Sequence, residues 1–286
     1  GIASDIGMPE MQRKKKEGTG IQKKDAPGID QKAYDKNAVR TFSLNKGAVD
    51  TANSQIDTEN KITGSCGDLE WSLEKETGLL RFEGTGKMPD YSKASETPWS
   101  EVANIIKKIS VPKGVTSIGD YAFSNLVELE EVILPEGINN LGKNAFSNCE
   151  KLNKVTLPDS IEKIGFQAFS NCIQLSEINI PLSWKECPTS STNGEISADY
   201  CGHIFEGCKN LKEITVPEGI EEIPSFGFCK SDYLITVNLP TTLKEIRNHT
   251  FYDCGNLEKI DVPEGVSYIG KAAFCYCGSL KEVSLS

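Results

Sequence analysis

A phenylalanine recurs at Phe123, Phe146, Phe169, Phe205, Phe228, Phe251 and Phe274, each six residues before a leucine at Leu129, Leu152, Leu175, Leu211, Leu234, Leu257 and Leu280. Prolines at Pro112, Pro135, Pro158, Pro181, Pro217, Pro240 and Pro263 keep the same step of 23 residues, with one interval of 36. That interval exceeds the step by 13 residues, an insertion placed near 185–198. A fixed period of this length belongs to stacked repeat architectures, in which each unit touches only its neighbours.

One unit reads "LEEVILPEGINNLGKNAFSNCEKL" at 129–152. The alternation in "VTLP" or "IDVP" predicts a short strand whose outer two residues point inward and whose middle one meets solvent. Proline ends that strand, having no N–H for the ladder, and glycines at Gly114, Gly137, Gly219 and Gly265 suit the positive φ that turns the chain away. The "IGxxAFxxCxxL" portion shifts from period two toward three or four, which predicts one or two turns of α- or 3₁₀-helix on the opposite wall. The inward set of one unit, Leu129, Val132, Leu134, Ile138, Leu141, Ala145 and Phe146, is too small to offset the entropy of ordering that unit, so neighbours must supply the rest. The predicted fold is an α/β solenoid of seven repeats over 109–286, with a parallel sheet on one wall and helical or 3₁₀ turns opposite.

Residues 62–108 depart from the period: "LEWSL" and "LLRFEG" around a Glu-Thr-Gly turn predict a hairpin, and "TPWSEVANII" predicts a short capped helix. An open solenoid end exposes core and a strand edge, so this divergent segment is expected to be an N-terminal cap. At the other end "VSLS" shows no divergent cap, and the natural chain is expected to continue there or to shield its last strand otherwise. Residues 1–61 are polar, with two aromatics (Tyr34, Phe42), no Cys and no Trp, and are expected to be a tail or linker.

The 286 residues are 38% hydrophobic and 25% charged, a globular composition, with a net charge of -10. That charge argues against a nucleic-acid footprint, which needs clustered Lys and Arg; the one basic run, Arg13 to Lys16, lies in the polar stretch. No run of 18 apolar residues predicts a transmembrane segment, and the start "GIASDIG" leaves targeting open.

The unit "IPxGVxxIGxxAFxxCxxL", repeated after a "GSCGDLEWSLEKETGLLRFEGTGKMPDYSKASETPW" leader, resembles the BspA-like leucine-rich repeat family of bacterial surface proteins over about 62–286. The resemblance implies a secreted or wall-attached solenoid that binds rather than catalyses, with adhesion to host matrix proteins or other cells as its role. Partners would be proteins of the host matrix or cell surface, with a glycan as the other class. Three coils depart from the motif: one carries the insertion, and "IPSFGF" (223–228) and "IRNHTF" (246–251) lose its Gly and Ala. The motif is structural throughout, so no ligand residue carries over.

Five of ten cysteines share one repeat slot, Cys149, Cys172, Cys208, Cys254 and Cys277, where Leu126 and Ser231 stand in other repeats. Interchange with Leu points to small buried hydrophobes, although coil spacing also permits bridges from Cys149 to Cys172 and from Cys254 to Cys277. Cys229 and Cys275 sit two positions earlier and are expected to face outward or sideways. Cys187 and Cys201 bracket the insertion and could form a disulfide or remain free thiols; a zinc site with His203 lacks the tight Cys-x-x-Cys spacing. A hydrolase built from Cys187 or Cys201 with His203 or His249 has no nucleophile elbow or paired carboxylates beside it. No enzymatic activity, cofactor or metal is therefore expected.

The solvent-facing middle strand residues are Ser110, Ile133, Thr156, Asn179, Thr215, Asn238, Asp261 and Ser284, a ladder suited to solvation or to hydrogen bonding with a partner. Trp184 and Tyr200 from the insertion region are candidate aromatic anchors beside it. For Trp184 the alternative is a core role, since it stands three residues after Pro181, where Val or Ile stands in other repeats.

Overall fold

Alternating apolar and polar residues in KITGSC, LEWSLE and LLRFE form three antiparallel strands, β1 (Lys61–Cys66), β2 (Leu69–Glu74) and β3 (Leu79–Glu83). The structure, a computed structural model, describes residues 60–285. The polar stretch 1–61 with its basic run thus lies outside the described residues up to position 59, and Lys61 is already part of β1. Besides the expected hairpin of β2 and β3 there is therefore a third strand. Its Gly64 lies opposite Trp71, whose indole a Cβ there would approach to 2.8 Å.

The expected capped helix is a 3₁₀ helix, Ser100–Ile105, preceded by Trp99 with no side-chain cap. Burial of Trp99 explains this: its ring packs against Trp71, Phe82 and Phe123 at 5.9, 5.3 and 5.7 Å, and its Nε1 donates to the Ala122 carbonyl at 2.9 Å. The segment is placed by the indole, not by a terminus.

From β3 onward all pairing is parallel, beginning with Leu80 beside Ile109 in the strand Lys108–Ser110. A first wall continues through Glu131–Ile133, Lys154–Val155, Glu177–Ile178, Glu213–Thr215, Thr236–Asn238, Lys259–Val262 and Glu282–Leu285. A second wall, absent from the sequence reading, runs through Gly86–Lys87, Val115–Ile118, Asn140–Leu141, Lys163–Ile164, Glu222–Ile223, Glu245–Ile246 and Tyr268–Ile269. Register steps by one repeat, as in Ile164 beside Leu141 and Ile246 beside Ile223.

The predicted helical turns are not there; among the described residues the repeats contain no helix, and the molecule is a parallel β-solenoid rather than α/β. The "AFxxC" segments form tight turns with left-handed residues such as Tyr121, Asn125, Asn144, Asn148, Gln167 and Asn171, at φ between 54° and 63°. This backbone turns N–H groups toward the next coil: Asn144 donates to the Phe166 carbonyl and Phe146 to that of Ala168, both at 2.8 Å. A helix would instead close those bonds within its own coil. Close coil approach also explains the motif glycine, since a Cβ on Gly142 would stand 2.4 Å from the Asp120 nitrogen. Of the glycines expected to turn the chain after proline, Gly114, Gly137 and Gly219 have positive φ and Gly265 does not.

The seven phenylalanines stack in one column inside. Ring centroids are 5.3 to 5.4 Å apart between Phe123, Phe146 and Phe169, and 5.4 Å between Phe228, Phe251 and Phe274. On either side of Phe205 the spacing widens to 6.3 Å. Here the extra residues enter: Lys163 still bridges Glu186, and Gln167 donates to the Gly202 carbonyl, so the insertion falls between Pro188 and Gly202, slightly later than placed from sequence. Both walls lose their ladder at this point, the first between Ile178 and Glu213, the second before Glu222.

The candidate binding wall and the insertion

On the first wall, backbone register brings Ser110 beside Ile133, Thr215 beside Asn238, and Asp261 beside Ser284. The column is not continuous, since the ladder is interrupted between Ile133 and Lys154 and again after Ile178. Several of its polar groups already have partners. Asn179 mimics a strand residue, accepting from the Leu157 N–H at 2.7 Å and donating to the Leu157 carbonyl at 2.8 Å. Asn238 donates to Glu213 at 2.7 Å and to the Thr215 hydroxyl at 3.1 Å. Lys259, 3.1 Å from Asp261, holds that carboxyl below the usual carboxylate value.

What remains open is the interruption itself. A groove of about 430 Å³ lies there, lined by Glu131, Val132, Ile133, Leu134, Lys154 and Thr156 among others. Ile133 is 46% exposed, unusual for an isoleucine. On either side, charges alternate between coils, Lys108 with Glu131 at 2.8 Å and Lys154 with Glu177 at 2.7 Å.

Trp184 is not an exposed anchor. It is 4% exposed and packs edge-on against Phe228 at 5.6 Å, filling the space opened where the phenylalanine column widens. The Ala of the motif is Gly227 in the coil above, where a Cβ would come within 2.7 Å of the indole. The departure in "IPSFGF" is thus the complement of Trp184. Tyr200 does reach solvent, at 39% exposure.

The slot cysteines serve the core. Each thiol donates to the carbonyl of a phenylalanine in the preceding coil: Cys149 to Phe123, Cys172 to Phe146, Cys208 to Phe169, Cys254 to Phe228 and Cys277 to Phe251, at 3.0 to 3.2 Å. Neither Cys149 with Cys172 nor Cys254 with Cys277 is bridged, and Cys187 and Cys201 are likewise free thiols. Burial pushes the Cys187 thiol well up, and that of Cys229 to about 12. Cys229, expected to face outward or sideways, is fully buried in a small cluster apart from the main core, where Cys201 of the insertion and Phe226 cover it; Cys275 is half-buried.

The histidines are not paired with a thiol base-to-nucleophile. His203 Nδ1 lies 3.0 Å from Glu206 and its Nε2 2.6 Å from the Ala198 carbonyl, while His249 stacks on Phe226 at 4.9 Å and burial lowers its pKa. Among the described residues no group of His, Cys, Asp and Glu could hold a metal ion, and no helix is long and apolar enough to cross a membrane. Sequence reasoning missed the Ile133 groove because an interrupted ladder leaves no mark on the motif.

In comparison with known proteins, the chain is similar in fold to a leucine-rich repeat protein of T. pallidum, with 22% identity over 80% of this chain and 92% of that one and a TM-score of 0.48. A leucine-rich repeat protein of Eubacterium ventriosum matches with 20% identity over 78% of this chain and 72% of that one, TM-score 0.37. A leucine rich cell surface protein of Faecalibacterium prausnitzii matches with 20% identity over 78% of this chain and 54% of that one, TM-score 0.42. No curated protein matches in sequence. The family description "BspA type Leucine rich repeat region" matches in six copies over residues 102–195 and 200–286. With the period, the phenylalanine column and the parallel walls, this assigns the chain: it belongs to the BspA-type leucine-rich repeat family.

Proposed function

We propose that the protein is a non-enzymatic, extracellular or cell-surface binding module that holds a protein partner on the first wall, anchored in the groove at Ile133 and Thr156. The observation that carries this reading is the interrupted ladder there. It opens a groove between two coils beside an exposed isoleucine and the Thr156 hydroxyl, a surface that a partner can cover with both apolar contact and hydrogen bonds. A protein partner is supported by the family, whose repeats are generally interaction scaffolds rather than enzymes.

Ser110, Ile133 and Thr156 form the near half of the contact, and Thr215, Asn238 and Asp261 the far half. Trp184 is excluded by burial. The test is solid-phase capture of host-matrix and cell-surface proteins by the parent protein, Ile133→Asp and Thr156→Lys. Placing charge in the groove should reduce binding about tenfold or more, since a central apolar anchor contributes about 2 kcal/mol. Unchanged capture by both variants removes the groove from the site.

A second reading, a spacer or surface-layer element without its own ligand, is favoured by one feature: Asn179, Asn238 and Asp261 are already satisfied within the wall. Absence of any capture by the parent protein supports that reading.

A further inference from the structure

His203 sits where the insertion rejoins the coil, buried, with both ring nitrogens engaged. Nδ1 is 3.0 Å from Glu206 Oε2, and Nε2 is 2.6 Å from the carbonyl oxygen of Ala198, a residue of the insertion loop. Both oxygens can only accept when Glu206 is ionised. A neutral imidazole has one N–H and one bare nitrogen, so it satisfies one of them and turns a lone pair toward the other. Only the imidazolium donates to both.

A proton on Glu206 would be the other solution, with that carboxyl donating to the bare nitrogen. The surroundings oppose it. The His203 ring and the Gln167 amide, which donates to the same oxygen at 3.0 Å, hold the Glu206 carboxyl below its usual value against the upward effect of its burial, and Lys230 of the following coil acts in the same downward direction. The remaining neighbours are the Phe166 ring at 4.9 Å, the Cys229 sulfur near the His203 backbone, Asp253 paired with Lys230 at 3.8 Å, and Asp232, which accepts from the Gly207 N–H at 3.0 Å. Gln167 in turn accepts from Asn144 at 3.2 Å, so the hydrogen-bonded chain reaches across three coils before ending on the loop.

We propose that His203 is a proton-operated clamp: as imidazolium it ties the insertion loop to the solenoid through Ala198, and on giving its Nε2 proton to solvent it keeps the bond to the charged Glu206 carboxylate and loosens the loop at Ala198. Besides that bond, Ala198 and Cys201 of the loop pack on Phe226, Cys229 and Tyr252 of the solenoid. The loop's own bonds, Ser190 to the Tyr200 carbonyl at 2.7 Å and Cys201 to the Ser197 carbonyl at 3.1 Å, close it on itself. The loop carries Ile196, 74% exposed, and forms one bank of a groove of about 460 Å³ completed by Cys187, Pro224 and Phe226. Loosening it changes what that groove presents. The clamp stands whether or not the first wall binds a partner.

Hydrogen exchange of peptides spanning 189–201, corrected for intrinsic exchange, tests this at about pH 5 and about pH 8. The parent protein should lose about tenfold of its protection at the higher pH, as expected for one bond to a charged group. In Glu206→Gln the new amide can donate to a bare ring nitrogen, so the clamp closes on neutral imidazole and protection should be equal at both values. His203→Gln should be weakly protected at both. Equal protection of the parent protein at the two pH values, or the parent's drop persisting in either variant, overturns the clamp.

Discussion

Trp184 shows how a single residue's type and neighbourhood leave two roles open, exposed anchor or core replacement for Val or Ile, between which burial decides. An aromatic beside a polar insertion suggests an anchor, yet the coil it belongs to is wider than the others and the indole fills that width. Trp184→Ala should cost about 3–5 kcal/mol by urea denaturation, the range for emptying a large buried aromatic site. Gly227→Ala should destabilise the parent protein but be close to neutral in a Trp184→Leu background, because its Cβ meets the indole at 2.7 Å. Additive effects in that double-mutant cycle would refute the pairing. The cysteines were more legible: interchange with Leu identified buried positions, and the sulfur-to-carbonyl bonds add a reason for the thiol. In a thiol titration Cys275 and Cys277 should react in the native protein. The seven buried thiols, Cys66, Cys149, Cys172, Cys201, Cys208, Cys229 and Cys254, should stay silent until denaturant is added. Cys187 should also react slowly, since its residue is half-exposed but its thiol is desolvated.

At the level of the element, the strand ending in proline was legible and the wall opposite was not. The segment "IGxxAFxxC" has helical spacing of its apolar residues, but spacing reports which side chains point inward, not which backbone closes the bonds. Left-handed residues such as Asn144 and Asn148 send their N–H groups to the next coil, so the inward pattern arises without a helix. The insertion behaves as an independent element wedged into an otherwise regular stack. Deleting residues 189–201 together with Trp184→Val and Gly227→Ala restores the 23-residue step on both sides. This variant should fold with a thermal midpoint at or above that of the parent protein, checked by calorimetry, because the two interrupted ladders can then close. A clear fall in the midpoint would mean that the insertion stabilises the stack rather than interrupting it.

For the whole molecule, the phenylalanine column continues into the antiparallel unit through Phe82 and Trp99, each 5.7 Å from Phe123. Removing residues 60–107 strips the indole and the β3 partner from the first parallel strand at once. The shortened protein should lose cooperative unfolding and associate, as seen by circular dichroism and size-exclusion chromatography. A monomer with an unchanged transition would show that the repeats need no such end.

The sequence by itself determined the period, the inward set, the proline-ended strands and the family, because these follow from one unit's side chains and repeat in every unit. Only the tertiary structure decided where coils part, at Ile133 and at the insertion, and hence which residues are left exposed and which histidine faces two oxygens. Those features depend on distances between units, and no unit's own residues encode the gap to its neighbour.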